Sequence, residues 1–187
     1  MAYNIKDVFY LSTSATITAN TSGTGSSQLD LSAYIDPIAR GRTKGTGLAV
    51  YKVHFSLLED GGRPVRAADT SEMTISLQAG LGVGDNATGT AFAVDSSVLG
   101  NTNALNVATA AYYAPGATAN NEGFFEMVMP SKDVPYVIVR DNACLIYELG
   151  SVVAAGTGDL TLSARLECAQ ISLDQATLNQ LLRTQTV

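Results

Sequence analysis

Residues 48–58 read LAVYKVHFSLL, and this stretch decides the fold class. Its apolar side chains recur at every second position, as Ala49, Tyr51, Val53, Phe55 and Leu57. Between the last four of them stand Lys52, His54 and Ser56. Successive side chains of a β-strand point to opposite faces of the sheet, so a period of two predicts a half-buried strand with one core face and one solvent face.

Residues 72–79 (EMTISLQA) and 160–168 (LTLSARLEC) repeat this alternation. The residues predicted to face the core are Met73, Ile75, Leu77 and Ala79 in the first stretch and Leu160, Leu162, Ala164, Leu166 and Cys168 in the second. Less regular stretches also favour strands, at residues 8–19, 28–35, 90–94, 124–129, 136–140 and 143–149. Residues 141–142 predict a tight hairpin turn between the last two. The total is eight or nine strands, with one more short piece near residues 110–113.

The C-terminus follows a different period. Residues 172–175 (SLDQ) match a capping box, the signature of a helix start. Leu178, Leu181 and Leu182 then form an apolar stripe at helical spacing. We therefore predict a short helix and tail over residues 172–187. The leucine stripe must be covered, either by the chain's own barrel or by a neighbouring subunit, which makes these three leucines a candidate interface.

Many short strands, one terminal helix and no strand–helix–strand alternation predict an all-β fold. The size and the long, uneven connections favour a single jelly-roll β-sandwich, or barrel, of eight or more strands over a shorter immunoglobulin-like sandwich. No repeat or composition break divides residues 1–187, which predicts one domain. No secretory leader or membrane-spanning run is recognisable, which predicts synthesis in the cytoplasm.

The composition is short of charge. Charged residues make up 15% of the chain, against about 25% in an average soluble domain. A surface of Ser, Thr, Asn, Ala and Gly loses little on desolvation, which favours burial between subunits, although a plain solvent-exposed surface has the same composition. The net charge of −6 argues against nucleic-acid binding, because affinity for phosphates comes mainly from Lys and Arg.

The sequence offers little for catalysis. His54 is the one histidine, which excludes a two- or three-histidine metal site. A Ser-His-Asp triad would have to use His54, and the sequence has no Gly-x-Ser-x-Gly elbow to present a nucleophile. Trp is absent, which argues against the sugar cleft of a glycosidase. We predict no catalytic residue, no cofactor and no metal site. Cys144 and Cys168 are the two cysteines, and free thiols, an intramolecular disulfide and a cross-link to another subunit all remain open.

Residues 1–10 (MAYNIKDVFY) and 29–37 (LDLSAYIDP), together with the chain length, resemble the smaller major capsid proteins of sphaerolipovirus-type tailless icosahedral viruses of haloarchaea. The resemblance implies a single jelly roll standing upright on a capsid above an internal membrane, without insertion into it. It also implies self-association, pairing with a larger sister capsid protein and a location in the virion. No functional residue is implied individually.

The functional prediction is therefore a structural viral major capsid protein that is not an enzyme. The alternative is a non-catalytic binding module or a virion fibre or spike component of the lectin-like jelly-roll type. That alternative predicts aromatic and carboxylate side chains clustered at one end of the barrel, and the absence of Trp counts against it.

Overall fold

The structure is a computed structural model. It describes residues 8–18, 23–36, 44–59, 62–64, 70–80, 105–115, 123–149 and 159–185. These residues form ten strands and one helix. The strands are β1 (Phe9–Ile17), β2 (Gly23–Asp30), β3 (Lys44–Glu59), β4 (Arg63–Pro64), β5 (Thr70–Ala79), β6 (Asn106–Pro115), β7 (Gly123–Val128), β8 (Tyr136–Ile138), β9 (Asn142–Leu149) and β10 (Leu160–Asp174), and the helix is α1 (Gln175–Thr184).

The strand order is that of a jelly roll. Sheet A has the order β1-β10-β3-β4, with β8 also paired to β3, and sheet B has the order β2-β9-β5-β6-β7. All pairs are antiparallel. The eight principal strands pair as a rolled-up hairpin: β1 with β10, β2 with β9, β3 with β8, and β5 with β6. This nesting alternates the strands between two sheets and confirms the predicted jelly-roll fold.

The core lies between the two sheets. The inward residues predicted in residues 72–79 and 160–168 all belong to the main apolar cluster. Side chains from both sheets meet there, for example Leu48 and Leu166 of sheet A with Ile75 and Leu145 of sheet B. One shared core explains why strands far apart in sequence adopt a fixed register, since a shift of one residue would turn each apolar set outward.

The decisive stretch, residues 48–58, departs from its prediction at one point. Lys52 pairs with Glu167 and Val50 with Cys168, so Tyr51 is an extra residue that bulges from β3. A bulge reverses the side-chain alternation. Consequently Ala49 and Tyr51 belong to a second cluster on the opposite face of sheet A from the main core, and the expectation of one face for all five apolar residues is wrong there.

Helix α1 covers the part of sheet A beyond this bulge. Leu178 is fully buried in the second cluster. Besides Leu178 that cluster contains Ala49, Tyr51, Val139, Ala169, Ile171 and Leu173. Gly45 makes room for the helix, because a Cβ there would lie 2.7 Å from a Leu178 methyl. Since α1 lies on the chain's own sheet, the leucine stripe is covered in part from within the molecule.

Two local predictions need correction. The helix does not begin at Ser172, which pairs with Thr46 in the ladder. Asp174 is the N-cap, and its carboxylate accepts from the Thr177 N–H at 2.8 Å. This hydrogen bond lowers the pKa of Asp174. The helix and tail thus start at Gln175 and not at 172.

Residues 141–142 do not close a hairpin, because β8 belongs to sheet A and β9 to sheet B. The segment crosses from one sheet to the other, and its backbone carbonyls accept hydrogen bonds. Asp141 accepts from Leu31 N at 2.7 Å, and Asn142 accepts from Gly80 N at 2.8 Å. Residues 90–94, predicted as a short strand, lie outside the described residues.

Candidate assembly surfaces

The half of sheet A not covered by α1 has an open outer face, which we call the Arg165 face. It consists of Tyr10, Lys52, His54, Leu58, Arg165 and Glu167 with six short side chains, Ser12, Ser14, Thr16, Ser56, Thr161 and Ser163. These residues lie opposite one another in cross-strand rows of β1, β10 and β3. The polar face predicted for residues 48–58 is therefore confirmed for Lys52, His54 and Ser56, which follow the bulge in the chain. His54 is an exposed surface residue.

Charge on the Arg165 face is arranged around one cation. The guanidinium of Arg165 lies 4.1 Å from the centroid of the Tyr10 ring, a cation–π contact. Arg165 is directly opposite His54, and Glu167 is directly opposite Lys52. Tyr10 is 53% exposed despite this contact, so the ring offers an apolar surface beside Arg165.

The outer face of sheet B contains a groove, which we call the Glu72 groove. It encloses about 310 Å³ and is lined by Glu72, Met73, Thr74, Ala111, Tyr112, Tyr113 and Glu148. Thr74 lies opposite both Ala111 and Glu148, and Glu72 lies opposite Tyr113. The two carboxylates are thus diagonal neighbours on adjacent strands, where like charges repel. The aromatic rings and carboxylates meet here, which sequence alone did not indicate.

Four polar residues of the outer face of sheet B are buried. Ser76, Gln78, Asn106 and Thr109 share this face by register, and none is more than 7% exposed. Ser76 Oγ donates to Asn106 Oδ1 at 3.0 Å, and Asn106 Nδ2 donates to Thr109 Oγ1. The expectation that Ser76 and Gln78 face solvent is wrong. The hydrogen bond from Ser76 to Asn106 offsets the cost of burying the Ser76 hydroxyl.

Both cysteines are free and fully buried. Cys168 lies in the main core, as predicted, and burial raises its pKa to about 12. Cys144 lies opposite Gln78, on the buried polar face of sheet B. Burial raises the pKa of Cys144 to about 11, while a hydrogen bond with Ser26 opposes that shift. Neither thiol offers surface for a cross-link in this conformation.

The three C-terminal leucines differ in how far the chain's own fold buries them. Leu178 has no exposed surface, because the chain's own second cluster surrounds it. Leu181 and Leu182 are half-buried against the same cluster. The interface prediction therefore no longer applies to Leu178 in this conformation and stays a prediction for Leu181 and Leu182.

Strand β7 forms an edge of sheet B, since it pairs with β6 alone. Phe124 faces inward and contacts the Tyr112 ring, with centroids 5.3 Å apart. Phe125 and Met127 are 57% and 53% exposed, respectively. Edge strands with exposed apolar side chains favour association with another chain. This edge adjoins the Glu72 groove, because Phe125 lies opposite Ala111.

The described residues hold no group of three or more His, Cys, Asp or Glu side chains placed to bind a metal ion. Over the same residues, no helix is long and apolar enough to cross a membrane.

No protein-family model and no curated protein matches the chain. Solved structures do. VP1 of Merkel cell polyomavirus in complex with disialyllactose is 6% identical, with a TM-score of 0.47 over 89% of this chain and 96% of that chain. VP1 of trichodysplasia spinulosa-associated polyomavirus with GM1 oligosaccharide is 9% identical, with a TM-score of 0.46 over 89% and 94%. VP1 of New Jersey polyomavirus is 6% identical, with a TM-score of 0.42 over 90% and 100%. The jelly-roll assignment rests on the strand order of this chain.

Proposed function

We propose that this protein is a structural subunit of an icosahedral viral capsid, located in the virion, and that it is not an enzyme. The observation that carries the proposal is the Arg165 face. It is a largely exposed sheet surface, half of whose residues are Ser or Thr. Short side chains lose little rotamer freedom when a neighbour covers them, so such a surface is inexpensive to bury.

The finer assignment follows the resemblance of residues 1–10 and 29–37 to the smaller major capsid proteins of sphaerolipovirus-type viruses. On this proposal the chain is one domain over residues 1–187, associates with itself and pairs with a larger sister capsid protein. It lies near an internal membrane without entering it and does not bind nucleic acid. The core shared by the two sheets supports the single domain, and the net charge of −6 supports the lack of nucleic-acid contact.

The test is the mass of the purified protein by light scattering after size exclusion, at low and multimolar salt, followed by negative-stain microscopy. Discrete oligomers or capsomer-like particles support the capsid proposal. A monomer at every concentration and salt contradicts self-assembly. Closed shells formed by this chain alone would contradict the need for a sister protein while leaving the capsid role intact.

The Glu72 groove favours a second candidate, a non-catalytic binding module. Its volume is at the lower end of the range for small-molecule sites. Tyr113, 40% exposed, supplies an aromatic surface beside Glu72 and Glu148. Binding to an array of immobilised oligosaccharides tests this candidate. Signals lost in both Glu148→Gln and Tyr113→Ala would support it, and an array without signal for the wild-type protein would contradict it.

A further inference from the structure

The charged residues of the two sheets are segregated. The described strands of sheet B contain Asp30, Glu72, Glu126 and Glu148 and no Lys or Arg. All the basic residues of the described strands lie in sheet A, namely Lys44, Lys52, Arg63 and Arg165, together with the acids Glu59, Glu167 and Asp174. Among the described strands, the charged residues of sheet B are thus all acidic, and sheet A carries the cations.

The open parts of the two outer faces continue this contrast. On the Arg165 face, Arg165 and Lys52 are exposed among Ser and Thr side chains. In the Glu72 groove, Glu72 and Glu148 are diagonal neighbours, so a cation from another chain would meet two carboxylates there. Arginine suits this position, because its planar guanidinium can bind carboxylates through two hydrogen bonds.

Apolar surface accompanies the charge on both sides. Tyr10 contacts Arg165 and is half-exposed, while Tyr113 and Phe125 are exposed beside the groove. Interfaces are enriched in aromatic residues and arginine, which carry much of the binding energy.

We propose that two copies of this chain associate front to back, with the Arg165 face of one copy docked on the Glu72 groove of the next. The occupant of each face is a second copy of this chain. The contact is heterologous, so a pair of copies keeps one free Arg165 face and one free Glu72 groove, and repetition closes a ring when the rotation between copies permits. This inference rests on the proposed capsid function and specifies which surfaces build the capsomer.

Charge reversal with complementation tests the proposal. Arg165→Glu and Glu148→Arg each place like charges at the contact, and each is expected to weaken self-association by about tenfold or more. In an equimolar mixture, the intact groove of the first variant meets the intact Arg165 face of the second. The two altered faces are complementary in the reversed sense, so the mixture is expected to regain association. The double variant in one chain is expected to regain association as well.

The controls use an exposed loop outside both sheets. Lys132→Glu and Asp133→Arg make the same charge changes there and are expected to leave the oligomer intact. Lys52→Glu is a further test variant on the Arg165 face. It reverses a charge there without removing the cation–π contact between Arg165 and Tyr10. Circular dichroism of every variant establishes that the β fold is retained.

The outcomes separate this inference from the capsid proposal. Oligomers that tolerate every reversal overturn the front-to-back contact and leave the capsid function standing. Loss of association in Arg165→Glu but not in Glu148→Arg indicates a contact between like faces and also overturns the front-to-back contact. Failure of the mixture to recover association has the same meaning. A wild-type chain that is monomeric under all conditions overturns the front-to-back contact and the self-association, and leaves a capsid role that depends on the sister protein standing.

Discussion

The side chain of Gln185 hydrogen-bonds to the backbone of Val139, with its Oε1 accepting from the Val139 N–H at 3.1 Å. Its Nε2 donates to the Val137 carbonyl at 2.6 Å, and its own carbonyl accepts from Arg140 Nε at 2.7 Å. Among the described strands, β8 pairs only with β3. The amide of Gln185 therefore takes the place of a neighbouring strand and joins the end of α1 to sheet A.

Gln185→Ala should leave the Val139 N–H and the Val137 carbonyl without this partner in a buried position, since Gln185 is 3% exposed. The expected loss is about 1–3 kcal/mol in the free energy of unfolding, because a buried polar group without a partner keeps its desolvation penalty. Urea denaturation measures it. Gln180→Ala, at an exposed position of the same helix, is the control and should change stability by less than about 0.5 kcal/mol. Equal effects of the two substitutions would contradict a specific role for Gln185.

Leu178→Ala should reduce the free energy of unfolding by about 2–5 kcal/mol, as expected for a leucine truncated inside a packed cluster. Leu181→Ser combined with Leu182→Ser removes half-buried side chains and should cost less. Urea denaturation gives the stability, and light scattering gives the mass. If the double variant keeps its β spectrum but loses association, these two leucines form an interface. Unchanged mass would restrict their role to the chain's own fold.

Gly25→Ala should destabilise the β2–β9 pair. Gly25 lies opposite Tyr147, and a Cβ at Gly25 would be 2.7 Å from Cε1 of that ring, closer than packed atoms approach. The ring must shift, and we expect a loss of about 1–3 kcal/mol, typical of overpacking. Gly123→Ala is the matched control, because nothing lies within 4 Å of its Cβ position. The penalty at residue 25 should shrink in a Tyr147→Ala background, and an additive result would exclude the ring as its cause.

The two thiols should make stability fall at alkaline pH. Burial raises the pKa of Cys144 to about 11 and that of Cys168 to about 12, from 9.0. The pKa is higher in the folded state, so the unfolded chain loses its protons first as the pH rises. This contribution is complete below about pH 9 and is lost as the pH increases toward 11–12. Burial also raises the pKa of Tyr136 to about 12, which adds to the same loss.

Urea midpoints measured at pH 8 and pH 10.5, with reductant present, test this. A variant carrying Cys144→Ala and Cys168→Ala should show a smaller decrease between the two pH values than the wild-type protein. A thiol reagent at pH 8 should label neither cysteine until denaturant is added. Rapid labelling of the folded protein would contradict their burial.

The sequence predicted the strands best where the alternation is uninterrupted. The alternate residues of β5 and β10 that were assigned to the core all lie there, because both strands keep their register against a shared core. It failed at Tyr51, where a bulge reverses the faces of β3, since a bulge depends on the partner strand and leaves no mark in the alternation itself. It also failed at Ser76 and Gln78, because a polar residue on an outer face looks the same in sequence whether that face is covered or open.

The candidate surfaces were predicted only in outline. A scarcity of charge suggested interfaces, but residues distant in sequence form each surface. Arg165 meets His54 and Tyr10 through the pairing of β10 with β3 and β1. Glu72 and Glu148 meet through the pairing of β5 with β9. A single sequence contains no information on these pairings beyond the strands themselves.

The sequence by itself determined that the fold is all-β and that a helix follows at the C-terminus. It also determined which side chains face the core in the strands whose alternation is uninterrupted. These features follow from side-chain periods of two and 3.6 residues, which act locally. Only the tertiary structure decided the nested strand order, the covering of Leu178 by the chain's own sheet and the division of charge between two faces. These depend on which strands pair across long sequence separations, and that choice is made by the burial of one common core.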